Sequence, residues 1–222
     1  MDLPIELYAV RHGESTANQV LIRANRNGDL ETDLSGRDGD IPLTAHGRRQ
    51  SGYVGRWLHS LRPPPDVVVC SSFLRAKQTT GIALHTAALR LPVEIDARMR
   101  DRELGEWELL TRAAVHARFP EEVVRRREVG ELDHRPPGGE SFRDVKVRVS
   151  DALHDIGRRH HGRRVLVVAH DAVVLMLRAV IEGLGDTELQ TIEPVRNGSV
   201  TWWSATPDGL RLRTYNSVAH LR

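Results

Sequence analysis

Four short, mainly apolar runs set the frame of this chain: Ile5–Val10, Asp66–Cys70, Val93–Ile95 and Val165–Ala169. Three of them lead into stretches with helical features, beginning near Glu14-Ser15, Phe73 and Val173. Short buried strands alternating with helices are the pattern of a parallel sheet covered on both faces, because parallel neighbours need a crossover. Thr44, after Pro42-Leu43, opens a helix to about Leu61, and Pro63-Pro64-Pro65 closes it. Phe73 to Ala88, Ser141 to about His160 and Val173 to Leu184 are the other expected helices; Ser141 and Asp144 are spaced as a capping pair. Ser199–Trp203 and Leu210–Tyr215 flank Pro207-Asp208-Gly209 and read as a hairpin at a sheet edge, with Trp202-Trp203 packing that edge. There is no internal repeat or low-complexity linker, and 222 residues suit one well-filled core. The expectation is one α/β domain over residues 1–222. It is a three-layer α/β/α sandwich whose central sheet is mostly parallel with an antiparallel edge strand.

Two stretches fit that alternation poorly. Residues 19–41 are polar and rich in Gly, Asn and Asp, and residues 97–140 are charged with weak helical patterning. Both are expected to be functional loops or lids that select the substrate.

Composition removes several classes of function. No run approaches the roughly 20 apolar residues that span a bilayer, so no membrane partner is expected. Met1-Asp2-Leu3-Pro4-Ile5-Glu6 lacks the basic head and apolar middle of a secretory signal, and the lone Cys70 can form no internal disulfide. Both point to a reduced, cytoplasmic setting. The 32 basic residues nearly balance the 30 acidic ones, and only Lys77 and Lys146 are lysines. The arginines are scattered among Asp and Glu; Arg125-Arg126-Arg127 and Arg158-Arg159 read as solvated helix faces, and no nucleic-acid partner is expected. Oligomeric state leaves no mark in the sequence.

The chemistry gathers at the carboxyl ends of the strands, where open α/β sheets keep their ligands. The first strand ends in Arg11-His12-Gly13-Glu14-Ser15, the second in Ser71-Ser72 with Arg75 just beyond, and the run Val165–Ala169 in His170-Asp171. Two histidines and two arginines thus converge from distant parts of the chain. Phosphoryl transfer needs a nucleophile, positive charge on the equatorial oxygens and a proton donor for the leaving oxygen. Imidazole offers a neutral nucleophile near pH 7, and the planar arginine fork bonds two oxygens at once. Gly13 is expected to let the backbone approach the ligand. No His-x-x-His or Cys-x-x-Cys spacing is present, so no metal and no cofactor are expected.

Arg11-His12-Gly13-Glu14-Ser15 with Asn18, Pro42-Leu43-Thr44 with Gly47, Ser71-Ser72 with Leu74-Arg75-Ala76 and Gln78-Thr79, and Val167-Val168-Ala169-His170 together resemble the histidine phosphatase superfamily, the phosphoglycerate mutase-like group. The resemblance runs the length of the chain, in order. It implies that His12 is the phosphorylated nucleophile, that Arg11 and Arg75 bind phosphoryl oxygens, that His170 completes the pocket, and that Asn18 contacts the phosphate region. The family's proton donor is usually a glutamate four residues before a glycine in a segment ending Gly-x-Trp-Glu-Gly. Here that register holds Asp101, with Glu103 as the rival donor, and Leu109 stands where glycine is frequent. The donor's carboxyl is expected to titrate high, near other anions. Ser15, Glu140 and Ser141 are further candidates, the last two in the loop Pro136–Ser141. The implied activity is hydrolysis of a small-molecule phosphate ester through phosphohistidine. The alternatives are a 2,3-bisphosphoglycerate-dependent phosphoglycerate mutase and a phosphoryl-binding module without turnover.

Overall fold

The computed structural model describes residues 3–222; Met1 and Asp2, the start of the N-terminal stretch read above, lie outside them. Six strands form one sheet: β1 (Glu6–Arg11), β2 (Val67–Ser71), β3 (Val93–Asp96), β4 (Arg164–Ala169), β5 (Val200–Thr206) and β6 (Gly209–Ser217). Their order is β3-β2-β4-β1-β5-β6. The first four run parallel, β5 is antiparallel to β1, and β6 closes the edge antiparallel to β5.

Successive side chains of a strand point to opposite faces, and the central strands are apolar on both. Leu7, Ala9, Val67, Val69, Val165 and Val167 belong to one core with Val149, Ile156, Val173 and Leu177. These four come from α6 (Phe142–Arg159) and α7 (Asp171–Ile181). Tyr8, Val10, Val68, Cys70, Leu166 and Val168 belong to the other core with Val54, Leu58, Ala76 and Ala83. Those come from α2 (Ala45–Ser60) and α3 (Leu74–Ala87). Two cores on one sheet make the three-layer α/β/α sandwich. Trp203 is fully buried at the hairpin and Trp202 stacks on Tyr8, so both tryptophans pack the sheet.

The caps follow the sequence closely. The Thr44 side chain accepts the Gly47 N–H, and Ser141 and Asp144 form a capping box. The poorly patterned stretches hold more helix than expected. α1 (Thr16–Asn27) covers the first part of residues 19–41, opened by a Ser15–Asn18 capping box. It buries only Ala17 and Ala24, two turns apart on one stripe, which is why apolar periodicity missed it. Residues 97–140 contain α4 (Arg112–Arg118) and α5 (Pro120–Val129); α4 buries only Ala114 and Val115, and α5 buries nothing. A short α8 (Asp186–Thr191) also forms. Among the described residues, no helix is long and apolar enough to cross a membrane.

Candidate active site

Strand order assembles the site. β4 lies between β2 and β1, so Ser71, His170 and His12 emerge side by side at one end of the sheet. The His12 N–H continues the ladder to the Ala169 carbonyl at 3.0 Å, and the two imidazoles stand 5.0 Å apart, centre to centre. Ser71 Oγ meets His170 Nε2 at 2.8 Å.

His12 is held from every side. Its Nδ1 lies 2.6 Å from the Gly13 carbonyl, an acceptor only, so Nδ1 carries the proton and Nε2 keeps a free electron pair. Arg75 Nε donates to that Nε2 at 3.2 Å. The His12 carbonyl accepts from Asn197 Nδ2 and from the Gly198 N–H. Gly13 also has a packing role. A Cβ there would lie 2.3 Å from the Gly47 carbonyl, so the missing side chain admits helix α2, backbone against backbone. The Gly13 N–H is held by Thr79 Oγ1.

Arg75 is 3% exposed, and all five of its N–H groups are engaged. Nε bonds His12, Nη1 bonds the Asp38 carbonyl and Oδ1, and Nη2 bonds Asp38 Oδ2 at 2.8 Å and Asp101 Oδ2 at 3.0 Å. Asp101 Oδ2 also lies 3.3 Å from His170 Nδ1. Arg148 Nη2 donates to the Asp101 carbonyl and so fixes this segment from α6. Arg11 Nη1 donates to the Val195 carbonyl, and its Nε is buried without a protein partner. Arg11, Asn18, Arg75, Asp101, Glu103 and Leu109 stand in the wall of one cavity of about 460 Å³. His12 and His170 are almost wholly buried.

Burial pushes His12 well below the ordinary histidine range, and the neighbouring His170, Arg75 and Arg11 add to it. A neutral imidazole with an unprotonated Nε2 becomes a nucleophile once Arg75 Nε releases that atom. His170 is also pushed down by burial, against the opposing pull of Asp101. Burial raises the Asp101 carboxyl, but His170 and Arg75 outweigh it and hold it well below the usual carboxylate range. The expectation of a high-titrating donor therefore fails in this arrangement, because the His170 imidazole and the Arg75 guanidinium, rather than anions, bond the carboxyl.

The donor atoms of His12, Asp101 and His170 all lie within 4.8 Å of one another, close enough to share one cation. The Arg75 guanidinium bonds two of the three residues and already supplies positive charge at that point. Arg75 and Arg11 stand in the cavity wall next to the two buried imidazoles, and guanidinium forks of this kind favour an anion with several oxygens, such as a tetrahedral phosphoryl group.

Residues 7–218 match the model of the histidine phosphatase superfamily (branch 1). The chain belongs to that superfamily. Among its curated relatives is the 2,3-bisphosphoglycerate-dependent phosphoglycerate mutase 2 of Gloeobacter violaceus, 30% identical over 84% of this chain and 80% of that protein. A Bacillus subtilis protein named uncharacterized phosphatase PhoE is 27% identical over 96% of this chain and 94% of its own. In structure, the histidine phosphatase chain is similar to Bacillus stearothermophilus YhfR, with a TM-score of 0.81, 26% identity and coverage of 98% and 99%. It is also similar to mycobacterial glucosyl-3-phosphoglycerate phosphatase in complex with VO3, with a TM-score of 0.74, 26% identity and coverage of 96% and 99%.

The other residues singled out in the sequence are spread more widely. Asn18 stands in the cavity wall; its Oδ1 accepts from Ser15 N–H and Asn197, which turns its amide NH₂ into the group it can offer. Glu103 is half-exposed in the same wall and pairs with Arg100, away from the histidines. Ser15 and Ser141 cap α1 and α6. Glu140 pairs with Arg100 and Arg148 and accepts the Glu103 N–H, buttressing the segment that carries Asp101. Leu109, where the family often has glycine, has φ 58°, a region glycine enters freely and leucine does not. Sequence reasoning did not single out Asp38, Asn197 or Arg148. None belongs to a strand-end motif, and each meets the site only through contacts far apart in sequence.

Proposed function

We propose that residues 1–222 act as one domain that hydrolyses small-molecule phosphate monoesters through a phosphohistidine on His12, without a metal. The observation that carries this reading is the state of His12. Its Nδ1 proton is tied to a backbone carbonyl, its unprotonated Nε2 accepts a single hydrogen bond from Arg75 Nε, and its pKa is depressed.

In the first step, Nε2 attacks phosphorus and the P–O bond to the alcohol breaks. The bond electrons go to the leaving oxygen, which takes a proton from Asp101. Arg11, Arg75 and His170 bear the charge on the transferring phosphoryl oxygens, and Asn18 offers its NH₂ at the rim. In the second step, Asp101 takes a proton from water as the water attacks phosphohistidine, returning His12 with its Nε2 pair and releasing phosphate. The low titration of Asp101 is compatible with this role once a phosphoryl group is present. A dianion next to the carboxyl raises its pKa, and the monoester's own second ionisation near pH 6 supplies the proton. Glu103 lacks the contacts that would place it on the leaving oxygen.

The 30% identity to a bisphosphoglycerate-dependent mutase favours a second reading, in which the phosphoryl group returns to a bound acceptor. One experiment separates the two: p-nitrophenyl phosphate hydrolysis with EDTA, wild type beside His12→Ala, then 3-phosphoglycerate with and without 2,3-bisphosphoglycerate. The expected result is EDTA-resistant hydrolysis that the variant loses by at least about 10³-fold. Hydrolysis retained by His12→Ala contradicts the assignment of the nucleophile, and mutase turnover that depends on the bisphosphate favours the second reading.

A further inference from the structure

A guanidinium has two edges that can each bond a pair of oxygens, the end edge Nη1/Nη2 and the side edge Nε/Nη2. In Arg75 they face different partners. The side edge looks into the site, with Nε on His12 Nε2 and Nη2 on Asp101 Oδ2. The end edge is clasped by Asp38, Nη1 to Oδ1 at 3.0 Å and Nη2 to Oδ2 at 2.8 Å, with Nη1 also on the Asp38 carbonyl at 2.7 Å.

Asp38 is itself anchored. It opens the 3₁₀ turn Asp38–Asp40, and its N–H donates to Glu108 Oε1 at 2.7 Å. The next residue, Gly39, sits so close to Phe73 that a Cβ would lie 3.2 Å from the ring. The Arg75 guanidinium stands 5.0 Å over that same ring. The polar stretch between α1 and α2 thus delivers one carboxylate to the back of a buried arginine and is held there on both sides.

We propose that Asp38 is a positioning residue for phosphoryl binding, clasping the end edge of Arg75 so that the side edge is aimed at the oxygens of a phosphoryl group on His12. This inference rests on the phosphoryl-transfer reading of the pocket. An exposed ion pair of this kind would matter little, but Arg75 is 3% exposed and its charge needs a fixed partner. Asp38 and Asp101 share one nitrogen, Nη2. Without the Asp38 carboxylate only the Asp38 carbonyl still holds Nη1, and the guanidinium can swing its Nη2 side onto Asp101, taking up the proton donor and withdrawing from the phosphoryl oxygens. When substrate enters, the side-edge bonds to His12 and Asp101 are exchanged for bonds to phosphoryl oxygens, and the Asp38 clasp stays.

The test is a double-mutant cycle read by vanadate affinity from calorimetry and by KM and kcat for p-nitrophenyl phosphate. Asp38→Asn is expected to weaken vanadate and lower kcat/KM about tenfold or more in the wild-type background, and by less than about twofold in Arg75→Ala. Asp38→Glu, which keeps the charge of the pair and so protects the fold, is expected to fall between wild type and Asp38→Asn. Vanadate bound as tightly by Asp38→Asn as by wild type, or more tightly, would mean that Asp38 competes with the phosphoryl group or is idle, and overturns the inference. An equal loss in both backgrounds overturns it too, since Asp38 would not act through Arg75. A wild type that neither binds vanadate nor hydrolyses any ester removes the phosphoryl-transfer reading itself, and the inference with it.

Discussion

Asp101 and Glu103 are two residues apart, carry the same chemical group and stand in the wall of the same cavity. Their surroundings separate them. Asp101 Oδ2 is bonded to Arg75 and lies against His170, whereas Glu103 is half-exposed on Arg100. On the proposed mechanism, Asp101→Asn removes the proton donor and leaves the phosphoryl pocket standing. An alkyl phosphate, whose alkoxide leaves poorly, should slow by roughly 10²–10⁴-fold, and p-nitrophenyl phosphate by much less. Glu103→Gln should leave the two rates in their wild-type ratio. The check is the kcat ratio of the two substrates for each variant; a collapsed ratio in Glu103→Gln with a normal one in Asp101→Asn reverses the assignment. Register in the motif segment pointed to Asp101, but the contacts that distinguish it come from residues 75 and 170, beyond the reach of any local pattern.

At the scale of elements, the approach of α2 to the end of β1 decides where His12 stands. A Cβ on Gly47 would lie 2.0 Å from the Glu14 carbonyl, and one on Gly13 2.3 Å from the Gly47 carbonyl. Two backbones in such contact admit no side chain between them. Gly47→Ala must push α2 away from residues 13–14, at a cost near or above the ~3 kcal/mol upper end usual for overpacking. That corresponds to a fall in Tm of roughly 6–12 °C for a chain of this size. Catalytic activity should fall with it, because Ser51, Thr79 and Gly13 are bonded together there. Differential scanning calorimetry checks the first number, and an unchanged Tm contradicts the contact. The elements also show where the sequence was legible. The two-faced apolar strands and the capped helices α2 and α6 announce themselves by period and cap. Helices α1, α4 and α5 bury so few apolar side chains that their periodicity is faint.

The molecule as a whole should lose stability as the medium turns mildly acidic. His12 and His170 are both buried and both held below the ordinary value of 6.5, chiefly by burial, and His220 is lowered for the same reason. Below pH 6.5 the unfolded chain takes up protons that the folded chain refuses, so the stability of the folded state falls with falling pH. Between pH 7.5 and 5.5 the His12–His170 pair should therefore lower Tm. Thermal melts at pH 7.5, 6.5 and 5.5 check it, and a Tm that holds or rises on acidification contradicts neutral burial of the pair.

Local sequence determined the apolar runs that become two-faced strands, the caps that open α2 and α6, and the clustering of Arg11, His12 and His170 at strand ends. These depend on side-chain period and on neighbours a few residues away. Only the tertiary structure decided that β4 lies between β2 and β1, which brings His170 within reach of both Ser71 and His12. It also decided that Asp38 grips Arg75, that Asn197 holds the His12 carbonyl across 185 residues of sequence, and that Arg148 holds the carbonyl of Asp101. Those contacts are set by strand order and by the docking of long loops on a completed sheet, a geometry that exists only once both cores have closed.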